Sequence, residues 1–365
     1  MKTKINIFTT AKIPHVGGMS THIEGIVAYL RKSDGFEVDL FSRAQFGNDQ
    51  AKASSGGSRT RSFISYLIFV AVLIIVTSIR YSRRKANLNI FHDCYAIIAS
   101  RRVKGKKILY FHGELANELL ALGTIAQQGG FGYRLFLAIE KYAIRRADTV
   151  IAVDTRLQKY LEKVHNVNAI VKHNFVTETL NHHVEKFDVP RIILSRRLVE
   201  KNGVVFALQA LSKVNQLETQ FVVDVFGSGQ LEAELRSEFG KHSWLNFMGD
   251  ITNSELRQIL PKYWATIVPS IPVGEYVEAT SISALEAMCD GTLVLASNVG
   301  GLAELIQHGV DGVLFEPKSA ANITSAISEV QSQFNYDTLT LNAQLKIRKS
   351  YSIDQYVDFL LEFNT

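Results

Sequence analysis

Residues 264–317 constrain the fold more than any other stretch, because short apolar runs and a helical pattern alternate there. Ala265–Val268 is a β-branched apolar run that Pro269 ends, which is typical of a strand buried on both faces of a parallel sheet. Residues 293–296 form a second run of this kind after Asp290-Gly291. A strand, a helix and a second strand in this order predict an α/β fold with a parallel sheet.

Two carboxylates flank the predicted start of the helix between these strands. Thr280 and Ser281 are candidate N-cap residues for a helix that begins near Ile282. Glu278 lies in the loop before this helix and Glu286 lies within it. The first N–H groups of a helix have no partner within the helix and carry its positive dipole end, so they favour a phosphate. A phosphate seat between two carboxylates suits a sugar nucleotide, although such a pair is also typical of a solvated surface.

Further motif positions continue this pattern over about fifty residues. They are Pro269-Ser270, Glu278, Glu286-Ala287-Met288, Gly291, Asn298-Val299-Gly300-Gly301, Glu304-Leu305-Ile306, Gly309 and Gly312. The pattern resembles the nucleotide-sugar site of retaining glycosyltransferases of family 4. The resemblance implies an α/β GT-B architecture, in which two Rossmann-like domains have parallel sheets that face each other across a cleft. The resemblance is close over residues 190–317 and weaker over residues 1–176.

The resemblance also implies a division into two domains. Residues 1–178 are the predicted N-terminal Rossmann-like domain on the acceptor side. Residues 186–349 are the predicted C-terminal Rossmann-like domain, which binds the nucleotide sugar. A final helix over 350–365 is expected to pack back on the first domain. The chain of 365 residues is long enough for two such cores.

The charges are divided unequally along the chain. Residues 1–178 carry a net charge of +13 and residues 179–365 a net charge of −8, which together give the formal +5. A basic half favours nucleic acid or an anionic membrane surface as a partner. The sequence contains no nucleic-acid-binding motif, so we predict an anionic membrane and no nucleic acid. The two cysteines, Cys94 and Cys289, indicate a reducing compartment. We therefore expect a cytoplasmic protein attached to the inner face of the membrane.

Residues 62–79 are uncharged and flanked by arginines, and three interpretations are open. A membrane span is one, although 18 residues are at the lower limit for a bilayer and a span would split the first sheet. The second is a helix packed on the sheet, with an apolar outer face in lipid and arginines at the headgroups. A wholly buried helix is the third. We predict peripheral attachment through the basic half.

Candidate site residues of the first half follow predicted strands. Gly17-Gly18 would let a ligand approach the start of a helix closely, although a structural tight turn is equally compatible. His92 and His112 each come at the end of a predicted strand. The resemblance implies that the two glycines face the donor diphosphate and that His112 lies against the donor sugar. It also implies that His92 lies on the acceptor side.

Three regions of the second half complete the predicted donor site. Arg197 and Lys201, after the first strand of that half, offer a cationic clamp for phosphate oxygens. The family pattern Arg-Leu-x-x-x-Lys-Gly, aligned on Arg197, puts Asn202 at the lysine position, so Lys201 falls one residue early. The resemblance implies that Gly227 forms a turn beside the nucleoside and that the backbone near Met248 reads the base.

The reaction that the resemblance implies is transfer of a hexosyl unit from a UDP- or GDP-sugar to a hydroxyl of a glycan or lipid-linked glycan, with retention of configuration. Envelope polysaccharide synthesis is the expected context. Glu286 would bind the ribose hydroxyls and Glu278 the hexose hydroxyls. Arg197, Lys201 and the helix N–H groups would stabilise the leaving diphosphate. No Asp-x-Asp motif occurs, so we expect no catalytic metal and no cofactor beyond the substrate.

Two other functions remain open at this stage. One is a sugar-nucleotide 2-epimerase of the same architecture, which needs no acceptor. The other is a catalytically silent partner subunit, for which the displaced lysine is the supporting feature. A nicotinamide-dependent dehydrogenase is disfavoured, because Gly227-Ser228-Gly229 is followed by Glu232 at the position of the third glycine.

Overall fold

The computed structural model describes residues 2–11, 13, 18–42, 71–72, 74–75, 78–79, 85–100, 103–121, 124–177, 184–217, 221–274 and 277–364. These residues divide into two units, each built around a six-stranded sheet. The first unit takes its residues from 1–173, together with Gly274 and the segment from Tyr356 onward. The second unit takes its residues from 174–273 and 277–355.

In the described part of the first unit, a parallel sheet is accompanied by helices that connect its strands. Its strands are β1 (Thr3–Phe8), β2 (Phe36–Phe41), β3 (Lys85–Phe91), β4 (Lys104–Phe111), β5 (Thr149–Ala152) and β6 (Ile170–Val171). Its helices are α1 (Gly18–Lys32), α2 (Cys94–Ala99), α3 (Leu115–Ala121), α4 (Phe131–Ile144) and α5 (Thr155–Tyr160). The strand order is β2-β1-β3-β4-β5-β6, and every adjacent pair is parallel.

The second unit repeats this plan. Its strands are β7 (Arg191–Ser195), β8 (Val222–Phe226), β9 (Leu245–Gly249), β10 (Ala265–Val268), β11 (Leu293–Ser297) and β12 (Val313–Phe315). Its helices are α6 (Val204–Leu217), α7 (Glu232–Phe239), α8 (Asn253–Ile259), α9 (Ile282–Cys289), α10 (Gly300–Leu305), α11 (Ala320–Ser332) and α12 (Tyr336–Ser350). The order is β12-β11-β10-β7-β8-β9, again parallel throughout. A last helix, α13 (Ile353–Leu361), belongs to the first unit from Tyr356 onward.

Helices cover both faces of the second sheet, which explains its unbroken apolar strands. Ile267 and Leu295 pack in a core cluster with residues of α6 and α11. Their neighbours Val268 and Val294 pack in a second cluster with residues of α9 and α12. Successive side chains of a strand point to opposite faces, so a strand covered on both faces needs apolar residues at every position. The predicted α/β class with two parallel sheets is confirmed.

The uncharged segment 62–79 is only partly described. Its described residues, 71–72, 74–75 and 78–79, are helical, and the others lie outside the described residues. Ile74 packs against a core cluster that includes Phe136 of α4. Among the described residues of the segment, the exposed large apolar side chains are Val72, Ile75 and Ile79. Among the described residues, no helix has both the length and the apolar character needed to cross a membrane.

A buried ion pair fixes the end of α9 to α8. The Arg257 guanidinium donates from Nη2 to Oδ1 of Asp290 at 2.7 Å and from Nε to Oδ2. The two side chains are 6% and 0% exposed. Arg257 Nη1 also donates to the carbonyl oxygen of Thr177 at 3.2 Å. Two parallel hydrogen bonds satisfy both charges away from water, and breaking one partner leaves the other charge buried and unpaired.

The substitution Arg257→Ala should therefore lower the free energy of unfolding of the second unit by about 3–5 kcal/mol. Both tryptophans, Trp244 and Trp264, lie in this unit, so their fluorescence in a urea titration reports its unfolding alone. The matched control is Arg236→Ala, which removes an exposed pair with Glu232 on α7 and a contact with the Phe247 ring and should cost about 1 kcal/mol. Equal effects of the two substitutions would contradict the role given to the buried pair.

Candidate functional site

The loops after β7 and β10 are joined at the carboxyl edge of the second sheet. Gly203, at the end of the first loop, has φ +62°, and a Cβ added there would lie 1.9 Å from the carbonyl oxygen of Pro269. The N–H of Ile271 donates to the carbonyl oxygen of Lys201 at 2.9 Å. A side chain at position 203 would push the loops apart, so only glycine fits. These contacts therefore fix the positions of the two loops relative to each other, and both loops carry candidate site residues.

Gly300 and Gly301, at the start of α10, hold the loop that carries Glu278. A Cβ added to Gly300, whose φ is +48°, would lie 2.2 Å from the carbonyl oxygen of Glu278. One added to Gly301 would lie 2.5 Å from the amide nitrogen of Thr280. The N–H of Gly301 donates to the carbonyl oxygen of Glu278 at 3.1 Å. The glycine pair in the sequence motif thus permits a backbone approach that no other residue allows.

Glu278 is held as a carboxylate by its neighbours. Arg196 Nη2 lies 2.7 Å from each carboxylate oxygen, and the hydroxyl of Ser270 donates to one of them. Burial acts to raise the pKa of Glu278, but the charges of Arg196 and Lys201 and these hydrogen bonds outweigh it, so the pKa falls below its ordinary value. The side chain is therefore an ionised hydrogen-bond acceptor at neutral pH.

The structure brings Arg196, rather than its neighbour Arg197, to this carboxylate. The Arg196 side chain is 8% exposed, whereas Arg197 is exposed. Asn202, which stands where the resemblance places lysine, is buried; it accepts from Arg196 Nη2 at 3.1 Å and donates to the carbonyl oxygen of Arg197 at 2.7 Å. Lys201 is partly exposed and close enough for its charge to act on Glu278. The diphosphate contacts of Arg197 and Lys201 stay predictions.

Helix α9 begins at Ile282, the residue near which the sequence predicts its start. Ser281 occupies the N-cap position, but its side chain makes no capping hydrogen bond and its Oγ lies 3.1 Å from Oγ of Ser283. The carbonyl oxygen of Thr280 accepts from Asn174 Nδ2 at 3.4 Å. Because Ser281 does not cap the helix, the N–H groups of its first turn offer the positive end of the helix to an anion.

The environment of Glu286 favours its protonated form, whereas that of Glu278 favours the ionised form. It is 3% exposed within α9, and Asn253 Nδ2 donates to its Oε1 at 2.6 Å. Burial raises the pKa of Glu286 to about 7, although the charge of Arg257 and the Asn253 hydrogen bond act to lower it. This carboxyl group therefore changes its protonation near neutral pH, while Glu278 stays ionised.

Gly227 and Met248 lie at the ends of neighbouring strands β8 and β9. Gly227 has φ +116°, and a Cβ there would lie 2.2 Å from the carbonyl oxygen of Arg196. Its N–H donates to the carbonyl oxygen of Gly249 at 2.7 Å. Met248 is 53% exposed. Close packing against the Arg196 backbone explains why position 227 is a glycine. The nucleoside contacts of Gly227 and Met248 stay predictions.

Three histidines of the first unit meet at the carboxyl ends of β3 and β4. His92 follows β3 and His112 follows β4, and His22 comes from α1. His92 Nδ1 lies 2.9 Å from His112 Nε2, and the ring centroid of His22 lies 5.5 and 5.3 Å from those of His92 and His112. One nitrogen of each lies within 4.8 Å of the others, so within the described part of the chain this group could hold a metal ion. Such an ion would compete with the hydrogen bond between His92 and His112.

These imidazoles are neutral at physiological pH. Burial lowers the pKa values of His22 and His92 well below the ordinary value and that of His112 to about 4. His92 is 1% exposed, and its place on the acceptor side stays a prediction. His112 is partly exposed and is the member that a ligand can reach. Its contact with the donor sugar stays a prediction.

The glycine pair before α1 is described only in part. Gly18 is the first residue of α1, and Gly17 lies outside the described residues. Their contact with a diphosphate stays a prediction.

Sequence reasoning gave no side-chain role to three residues that the structure brings into these groups, Asn253, Ser270 and His22, and it preferred Arg197 to its neighbour Arg196. Ser270 is part of the quoted motif, and His22 lies beside Ile23 on a helix whose apolar spacing predicts burial. Asn253 lies 33 residues before Glu286 in a polar stretch, where no local pattern marks it.

Two family models match consecutive parts of the chain. The model for Glycosyltransferase Family 4 matches residues 16–179, and that for Glycosyl transferases group 1 matches residues 177–337. An uncharacterized glycosyltransferase of Methanocaldococcus jannaschii is 28% identical over 171 residues, which are 46% of this chain and 42% of that protein. The chain therefore matches less than half the length of this curated relative.

Solved structures share the fold over nearly the whole chain. Sucrose-phosphate synthase from Thermosynechococcus elongatus is 18% identical, with a TM-score of 0.74 over 99% of this chain and 97% of that one. The Anabaena protein HepE in complex with UDP-glucose is 16% identical, with a TM-score of 0.70 over 98% of each chain. At these identities the likeness shows the GT-B fold.

The raised pKa of Glu286 should make the stability of the second unit depend on pH. Between the ordinary pKa near 4.5 and about 7, the folded state keeps a proton that the unfolded state has lost, so folding becomes less favourable as the pH rises. Glu286→Gln cannot ionise. Its free energy of unfolding relative to the parent protein should therefore rise by about 2–3 kcal/mol from pH 5 to pH 8.

Urea titrations followed by tryptophan fluorescence at several pH values test this expectation. Glu234→Gln, at an exposed position on α7, is the matched control and should keep a constant difference from the parent protein. A constant difference for Glu286→Gln as well would show that this carboxyl group ionises normally.

Proposed function

The chain belongs to glycosyltransferase family 4, and we propose that it transfers a hexosyl unit from a UDP- or GDP-sugar to a hydroxyl of a glycan or lipid-linked glycan. The observation that carries this proposal is the pair Glu278 and Glu286 on either side of the uncapped start of α9. This arrangement matches the order of chemical groups in a sugar nucleotide, which has hydroxyls at both ends and charge in the middle. The UDP-glucose bound by HepE supports a UDP-sugar as the first donor to test.

Each end of the donor has a suitable partner. We infer that Glu286 takes the two ribose hydroxyls, because an ionised carboxylate accepts two hydrogen bonds and a buried one excludes competing water. Donor binding would then favour its ionised form. Glu278 is already ionised and oriented by Arg196, so it accepts hydrogen bonds from the hexose hydroxyls. His112 contacts the same sugar in this proposal.

The difficult step is departure of the diphosphate, during which negative charge grows on phosphate oxygens and positive charge on the hexose. The N–H groups of the first turn of α9, with the side chains of Arg197 and Lys201, would stabilise the leaving group, as fixed dipoles and charges do best in a site that excludes water. The departing diphosphate takes the proton of the acceptor hydroxyl on the same face of the sugar, and the configuration is retained. These groups replace a catalytic metal in the proposal, so turnover should persist in EDTA.

Glu286→Ala should raise the donor KM about 10- to 100-fold and change kcat less than about threefold. The reason is that the ribose contacts are equal in the ground and transition states. A thermal-shift panel of UDP, GDP and ADP first identifies the base, and steady-state kinetics with that donor then give both constants. Glu234→Ala, exposed on α7, is the matched control.

Unchanged donor kinetics in Glu286→Ala would count against the ribose role. Analysis of the product by NMR separates the remaining functions. A new glycoside supports transfer, a C2 epimer of the donor supports the epimerase, and nucleotide binding without any product supports a silent subunit.

We also propose that the first unit attaches peripherally to the inner face of the cytoplasmic membrane, where a lipid-linked acceptor for envelope polysaccharide would be met. Phe131 and Tyr142 on α4 are 80% and 50% exposed. Basic side chains are exposed on the same helix, namely Arg134 and Lys141, and at its C-cap, Arg145. Exposed aromatic and basic residues together are typical of helices that lie in the headgroup region. The exposed Val72, Ile75 and Ile79 belong to the same unit.

The full chain should sediment with anionic liposomes at low salt and be released as ionic strength rises. Phe131→Ser with Tyr142→Ser should reduce the bound fraction severalfold. The matched control is Leu341→Ser with Leu345→Ser, which removes two exposed apolar side chains, 55% and 52% exposed, from α12 of the second unit. A protein that stays in the supernatant at low salt would refute membrane attachment.

A further inference from the structure

The histidine cluster of the first unit is linked to the C-terminal helix. Tyr356, on α13, is 1% exposed, and its hydroxyl lies 2.9 Å from His22 Nε2. The Tyr356 ring meets the His22 ring edge-on at a centroid distance of 5.0 Å. His22 in turn meets both His92 and His112 edge-on. The last helix thus fixes a ring that packs against both members of the hydrogen-bonded histidine pair.

His92 is further held by stacking. Its ring lies 5.4 Å from that of Tyr110 and 5.2 Å from that of His112, with interplanar angles of 19° and 28°. Tyr110 is 1% exposed, so this stack is closed on its inner side. The relative orientation of His92 and His112 is therefore set by packing on both sides of the pair.

The buried nitrogen of His92 decides how the pair shares its protons. His92 Nε2 has no hydrogen-bond partner among the described residues and no contact with solvent. If His112 Nε2 carried the proton and donated to His92 Nδ1, then neutral His92 would carry its own proton on Nε2. That N–H would be buried without an acceptor. If instead His92 Nδ1 carries the proton and donates to His112 Nε2, His92 Nε2 keeps only a lone pair. A buried lone pair without a donor is commoner in proteins than a buried N–H group without an acceptor.

We propose that His92 donates from Nδ1 to His112 Nε2, which holds His112 as the Nδ1–H tautomer, and that His22 and Tyr356 are positioning residues for this pair. The role in turnover rests on the proposed function; the tautomer does not. His112 then presents an N–H donor from its partly exposed ring. A neutral donor orients a hydroxyl or ring oxygen of the hexose without opposing the positive charge that develops on that sugar.

Nuclear magnetic resonance of the full chain, labelled with nitrogen-15 in histidine only, measures the tautomer directly through two-bond correlations of the ring nitrogens. The signals of His112 are those that disappear in His112→Gln. We expect protonated Nδ1 and unprotonated Nε2 for His112 at neutral pH. The reverse pattern, or a doubly protonated ring, would overturn the proposal.

Two substitutions at His92 test whether it sets this tautomer. The side-chain amide of His92→Asn places an N–H donor close to the position of imidazole Nδ1, so the His112 pattern should be kept. His92→Leu removes the donor, and His112 should then show a mixture of tautomers. An unchanged pattern in the Leu variant would refute control by His92.

Tyr356→Phe removes only the hydroxyl group that fixes His22. We expect kcat to fall about fivefold, with the donor KM and the UDP affinity unchanged. This is the effect expected when one hydrogen bond that matters only in the transition state is lost. Tyr336→Phe, which removes a hydroxyl that donates to the carbonyl oxygen of Trp264 at 2.7 Å in the second unit, is the matched control and should leave kcat unchanged. An unchanged kcat in Tyr356→Phe would overturn the positioning role. Absence of UDP binding and turnover in the parent protein would instead refute the proposed function, while the resonance data would still decide the tautomer.

Discussion

The close approach of α10 to the Glu278 loop is the contact on which the rest of the second unit's candidate site depends. The N–H of Gly301 binds the carbonyl oxygen of Glu278, and any side chain at Gly300 would overlap that oxygen. This contact fixes both the acid and the start of α9 at Ile282, because the two are joined by only three residues. Since helix N–H groups act on an anion only over short distances, a small displacement of this loop would weaken the whole arrangement.

The two acids beside α9 illustrate how environment, rather than residue type, sets charge. Glu278 has a guanidinium and a hydroxyl within hydrogen-bond reach, so its pKa falls although it is partly buried. Glu286 is almost fully buried with an amide as its donor, so its pKa rises to about 7. In the proposed function, Glu278 is ready to accept hydrogen bonds before the donor arrives, whereas ionisation of Glu286 would couple donor binding to pH.

The first unit contributes chemistry of another kind. Two imidazoles at its strand ends and a third on α1 are kept neutral by burial, and they hydrogen-bond and pack against one another. A tyrosine from the last helix of the chain completes the group. The group lies at the carboxyl edge of a parallel sheet, which is where open α/β sheets generally bind ligands. The proton arrangement within the group follows from one buried nitrogen of His92.

The sequence by itself determined the parallel α/β class, the start of α9 and the places of His92 and His112 at strand ends, because these depend on local periodicity and turn residues. Tertiary structure alone decided which of two adjacent arginines faces Glu278, 82 residues later. It also decided that Tyr356 meets His22, 334 residues earlier. Neighbouring residues at a strand end point in different directions, and no local pattern records which distant group each one will meet. Burial, and with it the protonation of Glu286 and the histidines, exists only once those distant segments have packed together.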